Sequence, residues 1–290
     1  FGQRMVDVAA RCGAEVLAIT APWGEIISPQ AVEKMLKEHP DAKLVAVVHA
    51  ETSTGVRQPL AEISEIVHRY DALLVCDMVT SLGGIPTEID KHQVDAAYSG
   101  TQKCLSAPPG LAPITLSERA LHVLANRKTK VQSWYLDLSM IQNYWGADRF
   151  YHHTAPISMI YSLYEALRLI VDEGLEQVFE RHARYGIALH KGLEAMGLEL
   201  HVTNPEHRLY QLTSVRVPEG IDDLEVRKTL LEEYGIEIGG GLGELKGKIW
   251  RIGLMGYNAK RKNVMTLLTA LEDILTRKGV NIPKGAGVEA

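Results

Sequence analysis

Two short stretches that are apolar at every position constrain this chain more than anything else in it: residues 44–48 (LVAVV) and 72–76 (ALLVC). A strand wetted on one face alternates apolar and polar residues. A continuous run must be covered on both faces, which is the signature of parallel strands carrying crossover helices. Helical patterns occupy the intervals. Ser28-Pro29 supplies an N-cap and a first-turn proline for a helix running to about residue 39, and residues 60–70 predict a second. A further strand is expected over 94–98, a short one over 16–19, and a helix over 2–12 that stops at Gly13. The fold class expected is α/β, with a mainly parallel sheet between helices.

Ligands of such sheets sit beyond the carboxyl ends of the strands. Three polar segments fall there: Glu51-Thr52-Ser53-Thr54-Gly55, Asp77-Met78-Val79 and Ser99-Gly100-Thr101-Gln102-Lys103. Topology alone predicts that they meet.

Further on, a long helix over 157–172 passes through Gly174 into another over 175–196. Strands, a helix over 222–234, a glycine loop, a strand over 248–252 and a helix over 261–278 follow. This predicts a large domain over 1–173 and a smaller α+β domain over 174–290. The helical spacing of Phe1, Met5, Val8 and Ala9 reads as a sequence opening inside an element, so an upstream portion is expected. A net charge of −5 argues against a nucleic-acid partner, and no apolar run is long enough to span a membrane. Cys12, Cys76 and Cys104 are odd in number and widely spaced. That points to a reduced compartment, with Cys12 and Cys76 expected to be buried.

Several residues invite chemistry. Asp77, ending an apolar run, either caps the following loop or faces a buried cation, such as a protonated pyridine nitrogen. Lys103 is either a surface lysine or, given the apolar sequence after it, an amine nucleophile and proton carrier. Arg251, within Trp250-Arg251-Ile252-Gly253, is either a strand-edge group in solvent or a clamp for a carboxylate. His152 and His153 lack a third ligand at convincing spacing, so no metal is expected; the hydroxyls of Tyr151 and Thr154 make better phosphate donors. The glycines at 239–241 and 243 lack the dinucleotide spacing and are read as a flexible loop before Arg251.

Residues 49–55 (HAETSTG), 76–84 (CDMVTSLGG) and 99–110 (SGTQKCLSAPPG) closely resemble the alanine–glyoxylate and serine–glyoxylate (serine–pyruvate) aminotransferases. These are class V members of the fold-type I enzymes that use pyridoxal 5′-phosphate (PLP). The resemblance continues through 127–130, 151–154 and 250–253. It implies that Lys103 forms the Schiff base with PLP and that Asp77 pairs with the ring nitrogen. It also implies that Val79 packs on the ring, Thr52 lies by the ring hydroxyl and Gln102 lies by the phosphate. Phe1 falls where the family places an aromatic that stacks on the ring. Tyr151 and Thr154 would reach the phosphate of a neighbouring subunit, implying a homodimer with shared sites, and Arg251 would hold the substrate α-carboxylate. The upstream portion would carry the N-terminal arm and a Gly/Ser-rich phosphate loop.

The expected reaction is ping-pong transamination through pyridoxamine phosphate, from alanine or serine to glyoxylate or a similar short 2-oxo acid. Alternatives are pyridoxamine–pyruvate transamination, a cysteine desulfurase-like lyase, or an inactive fragment that only dimerises. A desulfurase needs a mobile reactive cysteine, and Cys104 looks too constrained beside Lys103. The expected compartment is cytoplasmic, with a peroxisomal or mitochondrial address left open.

Overall fold

In a computed structural model describing residues 1–290, the apolar runs become neighbouring strands. Helices α1 (Gly2–Arg11) and α2 (Pro29–Glu38) lead to β1 (Leu44–Val48). A hairpin of β2 (Ala50–Glu51) and β3 (Val56–Arg57) follows, then α3 (Ala61–Arg69), β4 (Leu73–Asp77), β5 (Ala96–Tyr98) and β6 (Ile114–Leu116). The sheet order is β1-β4-β5-β6; the first three strands are parallel and β6 is antiparallel. The expected mainly parallel α/β architecture is therefore present.

Local chemistry accounts for the helices. Ser28 Oγ accepts the Ala31 N–H at 3.2 Å and Pro29 opens α2, as the sequence predicts. Val32 and Leu36 of α2 and Ile63, Ile66 and Val67 of α3 bury against Leu74, Cys76 and Met78. Coverage is uneven, however. β4 is mostly buried, whereas β1 is an edge strand with Leu44 52% exposed, so its apolar run is not covered on both faces.

Two expected strands change. Residues 16–19 are not a strand, because their backbone finds no hydrogen-bonding neighbour along which a ladder could form. The strand expected over 94–98 shortens to Ala96–Tyr98. Asp95, just outside it, is buried and accepts hydrogen bonds from the Leu74 N–H at 2.9 Å, Ser117 Oγ at 2.7 Å and Arg119 Nη1 at 3.4 Å.

Helices α4 (Glu118–Ala125) and α5 (Leu138–Trp145) precede α6 (Ile157–Glu173), which breaks at Gly174 (φ +91°) before α7 (Leu175–Ala195). Then come β7 (Leu212–Arg216), α8 (Asp223–Tyr234), β8 (Gly239–Gly240), β9 (Ile249–Gly253), α9 (Arg261–Arg277) and α10 (Ala286–Glu289). The second sheet is antiparallel in the order β7-β9-β8. Its core of 21 buried residues, with Trp250 and Leu271 fully enclosed, is separate from the 12-residue core of the first sheet. No helix is long and apolar enough to cross a membrane.

The glycines at 239–241 are not a flexible loop. Gly239 and Gly240 pair with Arg251 and Trp250, and Gly241 donates to Ile249 O at 3.0 Å. A Cβ at Gly241 would lie 1.9 Å from Leu245 O, so these glycines serve close backbone approach.

Helix α7 has a similar contact. A Cβ on Gly186 would meet the Tyr210 backbone at 2.6–2.7 Å. Alanine gains about 1 kcal/mol of helix propensity, but overpacking costs about 1–3 kcal/mol and backbone cannot swing aside. The expected outcome for Gly186→Ala is a lowered urea midpoint in equilibrium unfolding, with a net loss of up to about 2 kcal/mol.

Candidate active site

The parallel ladder brings the polar segments together. Asp77 is opposite Val48 of β1 and Tyr98 of β5, and its carbonyl accepts the His49 N–H at 3.0 Å. The β2–β3 hairpin, the turn after Asp77 and the segment after Tyr98 thus leave the sheet from one edge. Asp77 is 7% exposed. The Val79 N–H donates to its Oδ1 at 2.9 Å and the Tyr98 hydroxyl to its Oδ2 at 2.9 Å. Burial outweighs these bonds and holds the carboxyl above the usual carboxylate range. Asp77 has no ion-pair partner.

Lys103 is half-buried, and its amine has no acidic partner. Its backbone is held firmly. Thr101 Oγ1 donates to Pro108 O at 2.6 Å, the Ala107 N–H to Thr101 O at 3.0 Å, and the Ser106 N–H to Lys103 O at 3.0 Å. Next door, Cys104 Sγ donates to Thr80 O at 3.3 Å. Ser106, at φ +61°, accepts the Tyr257 N–H at 2.9 Å; a Cβ on Gly256 would lie 1.8 Å from Ser106 Oγ. The segment carrying Lys103 therefore rests directly on the chain that follows β9.

Arg251 is not a solvent-facing edge group. Its Nε donates to Gly240 O at 2.7 Å and its Nη1 to Thr52 O at 3.1 Å, joining β9 to the β2–β3 hairpin. Burial lowers the guanidinium pKa, while the Glu51 carboxylate acts in the opposite sense. Thr52 is buried, Val79 half-buried and Gln102 exposed. Phe1 lies beside the same hairpin, its backbone nitrogen 2.6 Å from Glu51 Oε2. Tyr151 and Thr154 are exposed, with hydroxyl oxygens 2.8 Å apart, and make no hydrogen bond to the Asp77–Lys103 cluster of their own chain. His152 stacks on Trp134 with ring centroids 4.2 Å apart, and its Nδ1 lies 2.9 Å from His153 Nδ1.

Sequence reasoning did not single out Tyr98 or Glu51. Tyr98 could have been found from strand register, since it and Asp77 each close their own strand and the parallel ladder sets the two ends opposite one another. Glu51 carried no such signal.

The sequence matches the Aminotransferase class-V family over residues 4–262. The chain belongs to that family. It is 40% identical over its whole length to the (S)-ureidoglycine–glyoxylate transaminase of Bacillus subtilis, of which the match covers 74%. Its fold superposes on the alanine–glyoxylate aminotransferase of Nostoc sp. with a TM-score of 0.91 and 49% identity, covering 94% of this chain and 72% of that one. The pyridoxamine–pyruvate aminotransferase of Mesorhizobium loti gives 0.88 and 36%, covering 94% and 70%.

This class-V aminotransferase uses PLP. The residues present suit that group: a buried carboxylate lacking a cation at the end of β4, and a lysine lacking an anion in the turn that follows the neighbouring β5, are complementary to a protonated ring nitrogen and an aldehyde.

The cysteines bear on the rival lyase chemistry. Burial pushes the Cys76 and Cys104 thiols up to about 12, which leaves them unreactive. Cys12 is exposed at the end of α1, contrary to expectation, because no residue of that helix is buried. A disulfide reagent added to the native protein is expected to titrate one thiol quickly, with the other two reacting only in denaturant. Rapid release of three equivalents would show that Cys76 and Cys104 are accessible.

Proposed function

We propose that this aminotransferase moves the amino group of alanine or serine to glyoxylate or a similar short 2-oxo acid, in ping-pong order with the donor first. The observation that carries the reading is a cation-free, buried Asp77 at the end of β4 beside the end of β5, from which the turn bearing an anion-free Lys103 departs. The relatives named for glyoxylate support the acceptor.

Each residue has a distinct task. Arg251, already anchored to Gly240 and Thr52, presents its remaining N–H groups to a substrate carboxylate. Lys103 would hold the cofactor through its amine, and the same amine would move a proton at the substrate α-carbon. Asp77 would keep the cofactor's ring nitrogen protonated. Val79 would lie on the ring, Thr52 by the ring hydroxyl, Gln102 by the phosphate and Phe1 against the ring face. When bound, PLP supplies an electron sink for the bond broken at the α-carbon.

The outward-facing hydroxyls of Tyr151 and Thr154 support a homodimer in which they reach the phosphate of the neighbouring subunit. Exposed Tyr161, Tyr164, Leu167 and Val171 on α6 leave an apolar surface that suits subunit contact. Two separate cores support a large domain to residue 173 and a smaller one from 174. A cytoplasmic location is in keeping with three unpaired cysteines.

A second reading keeps the scaffold and changes the substrates, to ureidoglycine as donor or to pyridoxamine and pyruvate. It is favoured by the 40% and 36% identities to enzymes so named. A donor–acceptor panel on purified protein decides. Glycine formed from glyoxylate, with pyruvate or hydroxypyruvate as co-product, is expected. Transfer only from ureidoglycine, or only from pyridoxamine to pyruvate, selects the second reading. Sulfide and alanine from cysteine overturn both, and a protein that retains no PLP shows an inert chain.

Lys103→Ala is expected to abolish the visible absorption of bound PLP and to lower turnover by about 10²–10⁴-fold. Arg251→Lys keeps the charge but loses the forked geometry. Its kcat/KM for carboxylate substrates is expected to fall about 10–100-fold, mostly through KM.

A further inference from the structure

Tyr98 ends β5 directly opposite Asp77, and its hydroxyl reaches Asp77 Oδ2 at 2.9 Å while the Val79 N–H reaches Oδ1 at 2.9 Å. The side-chain torsion of a carboxylate is soft and roughly two-fold, so one bond leaves its plane free to turn. Two donors on different oxygens fix the plane. One donor is backbone and invariant to side-chain chemistry; the phenol is the part the sequence supplies.

We propose that Tyr98 is a positioning residue for transamination: its phenol holds the Asp77 carboxylate ionised and oriented toward the cofactor's ring nitrogen, and so governs how fully that nitrogen is protonated. This rests on the assignment of Asp77 to the ring nitrogen.

The electrostatics require such a donor. Burial pushes the Asp77 carboxyl up, and the Glu51 carboxylate from the β2–β3 hairpin pushes the same way. The Val79 and Tyr98 hydrogen bonds oppose them. Cys76, the neighbour on β4, is a neutral thiol pushed up to about 12. Without the phenol, a proton would rest more easily on Asp77, and a neutral acid facing a neutral pyridine gives a poor electron sink. The phenol itself is shifted up, first by burial and then by the Asp77 charge, so it remains a donor across the working pH range. A purely packing role would need only the ring.

Tyr98→Phe separates the two roles because the ring is retained. The holoenzyme is loaded with PLP labelled with nitrogen-15 in the ring, and the nitrogen chemical shift and the PLP dissociation constant are measured for wild type, Tyr98→Phe and Asp77→Asn. The expected result is a Tyr98→Phe signal moved toward the unprotonated value, with PLP held about ten-fold more weakly. If Asp77→Asn moves the signal and Tyr98→Phe leaves both signal and affinity at wild-type values, the role of Tyr98 is overturned while that of Asp77 stands. If Asp77→Asn leaves the signal unmoved, the assignment of Asp77 fails first. Should Tyr98→Phe not fold, a ring-fluorinated tyrosine at position 98 gives the complementary arm. Its more acidic hydroxyl is expected to move the signal toward the protonated value, and an unmoved signal overturns the proposal.

Discussion

The parallel pairing of β1, β4 and β5 is the constraint from which the site follows. Because the strands run the same way, their carboxyl ends share one edge, and each returns through a crossover that leaves from there. Asp77, Tyr98, the hairpin carrying Thr52 and the turn carrying Lys103 are neighbours for that reason alone. The apolar faces of α2 and α3 hold those strands in place, so the core and the chemistry depend on the same ladder.

The second sheet adds what the first cannot supply. Arg251 enters from β9 and is tied to Thr52 O, while Ser106 beside Lys103 accepts the Tyr257 N–H just beyond β9. A guanidinium held by two backbone carbonyls is oriented before any substrate arrives, which lowers the entropy lost on binding. Its buried position lowers its pKa, yet an arginine remains charged at any working pH.

Much of this was legible in the sequence because the signals were local. Continuous apolar runs announced parallel strands, Ser28-Pro29 announced α2, and Asp77 and Lys103 stood at strand ends. What failed depended on distant partners. Residues 16–19 are apolar enough for a strand, but strandhood is a property of a pair, and no neighbour bonds to them. The glycines at 239–241 suggested looseness, whereas the reason for glycine is the nearness of Leu245 and Arg251, which no local pattern encodes. Cys12 was expected to be buried, yet α1 buries no residue. Tyr98 was overlooked because its importance comes from register rather than from any motif around it.

The contact between Ser106 and Gly256 has an evolutionary consequence. The two positions lie 150 residues apart, yet the hydroxyl of one occupies the space where a side chain on the other would begin. Position 256 cannot therefore drift alone. Enlarging position 256 requires that position 106 be trimmed or redirected first and that the Cys104 carbonyl, 2.7 Å from the same point, also give way, and both changes alter the turn bearing Lys103. The seam between the two sheets thus behaves as a single inherited unit, in which substitutions must arrive in a particular order or not at all.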